Sequence, residues 1–149
     1  MSDPFDGLEP RLVPLGQATI RFRDTLVLPD TPEGTRLIVE IASVDLIGDR
    51  LRASLAGSAG ADWVRVSPDG KTGLVDVRAT LRTEDGALIY TEYHGRVRFG
   101  SGTTHEVRAA PRFSTGDPRH AWLNAVQAVA IGRSDAAART LHYRLYELA

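Results

Sequence analysis

Apolar and polar residues alternate with a two-residue period along much of this chain, and the alternation is clearest between Leu74 and Arg98. Val75, Val77, Ala79 and Leu81 alternate with Asp76, Arg78, Thr80 and Arg82. After Thr83-Glu84-Asp85-Gly86, Ile89, Thr91, Tyr93 and Val97 alternate with Tyr90, Glu92, His94, Arg96 and Arg98. Successive side chains of a strand point to opposite faces, so this pattern predicts a β-hairpin with one apolar and one charged face. Asp85-Gly86 supplies its turn, because glycine enters the left-handed region without a Cβ clash.

The same reading extends to both sides. Arg11–Leu15 and Gln17–Phe22 predict a first strand pair, and Asp24–Gly34, with two prolines and a glycine, predicts an irregular stretch around a short Leu26–Leu28 strand. Thr35–Asp45, Arg50–Leu55 and Asp62–Val66 read as strands, the last closed by the turn Pro68-Asp69-Gly70. His105–Ser114 follows as one strand. Asp117-Pro118 suits the N-cap and first position of a short helix over Arg119–Leu123. Asn124–Ile131 fits a helical face or a strand, Gly132–Ala137 reads as a turn, and Thr140–Leu148 is a final strand. Nine or ten short strands with frequent turns and no βαβ unit predict an all-β sandwich or closed barrel.

The length of 149 residues suits a single domain over 1–149, with residues 1–10 as a loose leader rich in Asp, Pro and Gly. The absence of cysteine excludes disulfides and thiolate chemistry. Eighteen basic residues balance 19 acidic ones, and the arginines are interleaved with acids, so no nucleic-acid-binding stripe forms. No apolar run approaches the ~20 residues of a membrane helix. The N-terminus lacks a secretory h-region, and a cytoplasmic setting is expected.

Several spaced motifs form a recognisable set. They are Gly60-Ala61-Asp62-Trp63, Asp69-Gly70, Asp76-Val77-Arg78, Thr83-Glu84-Asp85-Gly86-Ala87-Leu88-Ile89-Tyr90, Tyr93-His94-Gly95, Pro111-Arg112-Phe113-Ser114-Thr115 and Ala121-Trp122-Leu123-Asn124. From Leu8 to Leu148 the chain resembles domain-of-unknown-function family 3237. The resemblance implies a calycin-like, allene-oxide-cyclase-like antiparallel β-barrel around a central cavity, a barrel type that hosts cyclases, isomerases and carriers of small apolar molecules. It implies no assigned activity.

The candidate chemistry follows from strand parity. Asp76 and Arg78 share a face; if that face lines the cavity, Asp76 is a candidate base and Arg78 an anion holder, and otherwise they form a satisfied surface pair. Asp62 is a second candidate base, with Trp63 on the opposite face as a candidate substrate-binding residue or as rim or core packing. Tyr90 is a candidate proton donor, with Tyr93, opposite, a candidate substrate-binding residue. Arg112 is a second anion holder or a surface arginine. Trp122 reads as a plug over one barrel end, and Asn124 as its neighbour in the ligand-binding set. The four histidines show no metal spacing, and no nucleophile elbow, phosphate loop or dinucleotide fingerprint occurs.

The expectation is a barrel whose ionisable alternate positions point into a hollow. It would bind a small molecule, with cofactor-free acid–base catalysis on a partly apolar carbonyl compound (isomerase, cyclase or hydratase type) as the leading function. A non-catalytic carrier of a hydrophobic metabolite is the alternative. No cofactor, metal, nucleic acid or membrane is expected as partner, and a homo-oligomer is, with a dimer favoured.

Overall fold

The computed structural model describes all residues from Met1 to Ala149. Ten strands run antiparallel: β1 (Leu12–Thr31), β2 (Gly34–Ile47), β3 (Arg52–Leu55), β4 (Ala61–Val66), β5 (Thr72–Thr83), β6 (Leu88–Arg98), β7 (Thr104–Ala109), β8 (Arg112–Ser114), β9 (Ala128–Asp135) and β10 (Thr140–Leu148). The sheet order passes from β5 through β4, β2, β1, β10, β9 and β7 to β6, and the β5–β6 pairing joins its ends. The result is a closed barrel eight strands around. β3 takes over from β4 between β2 and β5, and β8 takes over from β7 along β6. Closure joins the two ends of the sheet, which is how an antiparallel sheet of this width satisfies its backbone groups, and the part of β1 that runs past β10 keeps a free edge.

The predicted hairpin is present, its register running from Thr72 opposite Arg98 to Arg82 opposite Leu88. Val75, Val77, Ala79, Leu81, Ile89, Tyr93 and Val97 are buried in the core. Their charged alternates face out, because the barrel turns the apolar face of every strand inward.

Four elements differ from expectation. β1 is one continuous strand to Thr31 and not a strand pair, its register shifting between Pro14 and Gly16. The stretch expected to be irregular is the far end of β1, where Val27 and Leu28 pair with Leu37 and Arg36 of β2. β10 reaches only to Arg21, so Pro29 lies where its missing N–H costs no ladder bond. Leu26, Val27 and Leu28 remain exposed on this ribbon. Ala110-Pro111 splits the expected His105–Ser114 strand into β7 and β8. Finally, Gly132 lies within β9 and not in a turn.

The expected helix is a 3₁₀ helix over Pro118–Ala125, capped by the Asp117 carboxylate accepting the Arg119 N–H at 2.9 Å. It closes one end of the barrel. Leu123 is fully buried there, and Trp122 packs on the core with the Arg50 guanidinium 4.9 Å above its ring. His120 Nε2 holds the Asp85 carboxylate of the hairpin tip at 2.9 Å. The helix is eight residues long, and no helix of the chain is long and apolar enough to cross a membrane.

Candidate functional site

Opposite the helix the barrel opens into a cavity of about 270 Å³. Its wall is mostly aliphatic, with Leu37, Val39, Val64, Val75, Val97 and Val107 on it, and Asp62 and Tyr143 are set into that wall. A second hollow of about 50 Å³ lies deeper in the bore, with no exposed polar lining surface. Tyr143 borders both hollows, whereas Tyr93 borders only the deeper one.

Asp62 reaches the cavity because it lies on the inner face of β4 together with Val64. The ladder pairs Asp62 with Val77 and resumes at Arg65 with Leu74; in the gap the Asp76 N–H donates to Asp62 Oδ1 at 2.9 Å. This bond favours the carboxylate, but burial disfavours it more, and the nearby Asp76 charge adds to the effect. The balance pushes the Asp62 pKa up to about 7. A carboxyl that is half-ionised near neutral pH can both accept and return a proton.

Tyr93 and Tyr143 meet edge to face, with centroids 5.9 Å apart. Burial is the main cause that raises both phenols well above the ordinary range, and the Asp62 charge adds to it in each case. Both therefore stay protonated and can act as donors. The Tyr143 hydroxyl is buried and makes no hydrogen bond of ordinary geometry; the neighbouring Tyr93 hydroxyl acts on it only as a weak donor.

The mouth is polar. Arg139 Nη1 pairs with Asp24 Oδ1 at 2.9 Å, and Arg23 Nη1 donates to the Ile41 carbonyl at 3.0 Å. His105 Nδ1 accepts the Gly100 N–H at 3.0 Å, so in the neutral ring the proton sits on Nε2. Its ring meets Phe99 edge to face.

Of the residues singled out by sequence, Asp62 lines the cavity and Tyr93 is buried in the bore. The others lie elsewhere, and the inward placement considered for Asp76 and Arg78 is corrected. Asp76 faces outward with His94 Nε2 3.5 Å away, and Arg78 lies 4.6 Å over the outer face of Trp63. Tyr90 is exposed and donates to Glu92 Oε2 at 3.0 Å, and Arg112 Nε donates to Glu92 Oε1 at 2.9 Å. Trp63, Arg78, Glu92 and Arg112 thus form one row across the outside of β4, β5, β6 and β8. A row of ions gains more from water than from a hydrocarbon wall, which decides the orientation of the whole strand. Trp122 stands at the closed end. The Asn124 side-chain amide clasps the Thr115 backbone, its Oδ1 accepting the Thr115 N–H at 2.8 Å and its Nδ2 donating to the Thr115 carbonyl at 3.0 Å.

Sequence reasoning missed Tyr143, His105, Asp24 and Arg139. A usable signal existed for Tyr143, which shares an inner face with Leu141 and Leu145. No three His, Asp or Glu side chains converge as a metal site would need.

A family model described as a protein of unknown function (DUF3237) matches residues 10–148. A UPF0311 protein of Bradyrhizobium diazoefficiens is 29% identical over 124 residues, 70% of this chain and 76% of that protein. A crystal structure of a β-barrel-like protein from Acinetobacter baumannii superposes with a TM-score of 0.84 at 25% identity, covering 95% of this chain and 97% of that one. A structure described as an enzyme from Penicillium herquei superposes with a TM-score of 0.72 at 19% identity, covering 100% of this chain and 99% of that one.

Proposed function

The chain belongs to the DUF3237 family of proteins of unknown function, and we propose that it is a small-molecule-binding barrel that catalyses cofactor-independent proton transfer on a small, partly apolar carbonyl compound. Isomerisation, cyclisation, and addition or loss of water are the reaction types within reach of one poised carboxyl. Asp62 is the base. The observation that carries this reading is its place in an apolar cavity with a pKa of about 7, where a purely structural carboxylate gains nothing from being dry. The enzyme from Penicillium herquei supports it to the extent that a protein of this fold is described as one that catalyses.

The second reading, a carrier, draws on the aliphatic wall that occupies most of the cavity. One experiment separates the two. The protein is incubated with cell extract, the retained compound is identified by native mass spectrometry, and turnover of that compound is measured. The enzyme reading expects Asp62→Asn to retain the compound and lose turnover by about 10²–10⁴-fold. Retention without turnover by the unmodified protein favours the carrier, and unchanged turnover in Asp62→Asn refutes the base.

A further inference from the structure

We propose that Tyr143 is the residue that binds the ligand's oxygen in this cavity, donating its phenolic hydrogen to a carbonyl that becomes an enolate as Asp62 removes the neighbouring proton. The inference rests on the acid–base reading above and adds to it a second catalytic group and a feature of the substrate: an oxygen acceptor next to an acidic C–H.

Three observations converge. First, the Tyr143 hydroxyl is buried and makes no hydrogen bond of ordinary geometry, although buried hydroxyls are almost always paired; the neighbouring Tyr93 hydroxyl acts on it only as a weak donor to its oxygen, which leaves its own hydrogen unengaged. A donor left open beside a cavity is matched when the occupant brings the acceptor. Second, Tyr143 is the aromatic residue that borders both hollows, so an oxygen at its hydroxyl places one end of the ligand in the outer cavity and leaves an apolar chamber beyond. Third, the ring has one place to lie. A Cβ at Gly132, its ladder partner, would stand 2.4 Å from Tyr143 Cδ1, and Tyr93 closes another side edge-on. A donor held this way is oriented before the reaction, which is what stabilising a developing oxyanion requires.

The other candidates fail on placement or are already engaged. Tyr90 is outside the barrel and already bonded to Glu92. Tyr93 does not border the outer cavity. His105 lines the same cavity from β7, but its Nδ1 already accepts the Gly100 N–H at 3.0 Å.

The step balances within the substrate and Asp62. The carboxylate accepts a proton from the carbon beside the carbonyl, the C–H electron pair becomes a C=C bond, and the carbonyl π pair moves to oxygen, held by the Tyr143 O–H. In a β,γ-unsaturated ketone this enolate is a dienolate: the oxygen electron pair re-forms the carbonyl, the two C=C positions shift into conjugation with it, and the Asp62 carboxylic acid returns the proton to the γ carbon, giving the α,β-unsaturated isomer with no co-reactant. The substrate class is a β,γ-unsaturated ketone with an apolar ring or short chain.

The test uses 4-nitrophenol, whose ionised form mimics an enolate oxygen on a flat ring and reports its own ionisation by absorbance. Binding to the unmodified protein, to Tyr143→Phe and to Asp62→Asn is measured by titration. The proposal expects saturable binding to the unmodified protein. It expects affinity to be weaker by about tenfold or more in Tyr143→Phe, and equal or tighter in Asp62→Asn, where the competing negative charge is gone. Unchanged affinity in Tyr143→Phe, or no saturable binding to the unmodified protein, overturns it. If Tyr143→Phe does not fold, the Tyr143 hydroxyl proton of the unmodified protein is followed by NMR. A downfield shift on binding supports the contact, and no shift overturns it. The base reading fails separately, through retained turnover in Asp62→Asn while Tyr143→Phe still weakens the probe.

Discussion

The ring of Tyr143 occupies the space in which Gly132 would carry a side chain. The two residues face each other across β9 and β10, and an added Cβ would come within 2.4 Å of Cδ1 and 2.5 Å of Cε1. Neither backbone strain nor a turn accounts for glycine here; the packed phenol does. Gly132→Ala is therefore expected to push the ring into the cavity and to destabilise the protein by about 1–3 kcal/mol. Chemical denaturation measures the loss, and a crystal structure of the variant shows the displaced ring.

Asp62 ties stability to pH. Its carboxyl ionises near 3.8 in the unfolded chain and near 7 in the native one, so the native state binds more protons between these values. The stability linked to the protonated carboxyl is fully present below about pH 4 and is lost as pH rises through about 7. Asp62→Asn keeps an acceptor for the Asp76 N–H and removes the titration. Its stability relative to the unmodified protein should rise from pH 4 to 7 and level off above, by at most roughly 4 kcal/mol. Denaturation midpoints of both proteins across pH 4–9 check the sign.

The deep chamber is a void with a cost. At about 24 cal/mol per Å³, its roughly 50 Å³ corresponds to about 1 kcal/mol. Ala79→Val adds two methyl groups on the inner face of β5, where Ala79 borders the chamber. The variant should gain up to about 1 kcal/mol and lose xenon uptake in the chamber, as read from xenon-pressurised crystals.

Much of this architecture was legible in the alternation of residues. The β5–β6 hairpin, its turn at Gly86 with φ 89°, and the Asp117-capped helix could be read from local chemistry alone. What local chemistry does not state is which partner a segment meets. Leu26–Leu28 is strand because β2 lies beside it, and Gly132 is strand because a residue 11 positions later needs its face. The site was misread for a related reason. The charged faces of β5 and β6 are the conspicuous ones in the sequence, but barrel closure turns them to water, and the informative residues are the polar ones on apolar faces. Asp62 beside Val64 and Tyr143 between Leu141 and Leu145 carry that signature, and of these two only Asp62 was singled out by sequence.

The outward row gives a control. Arg78 is exposed and its closest aromatic contact is the outer face of Trp63. Arg78→Ala is expected to cost at most about 1 kcal/mol, the scale of an exposed cation–π contact, and to leave 4-nitrophenol affinity unchanged by titration.

The most direct measurement is the titration of the Asp62 carboxyl carbon by NMR between pH 3 and 9, assigned by its disappearance in Asp62→Asn. The account predicts a midpoint near 7. A midpoint near 4 would mean that the carboxylate is as well solvated as any on the surface, and would contradict the poised base on which the proposed chemistry depends.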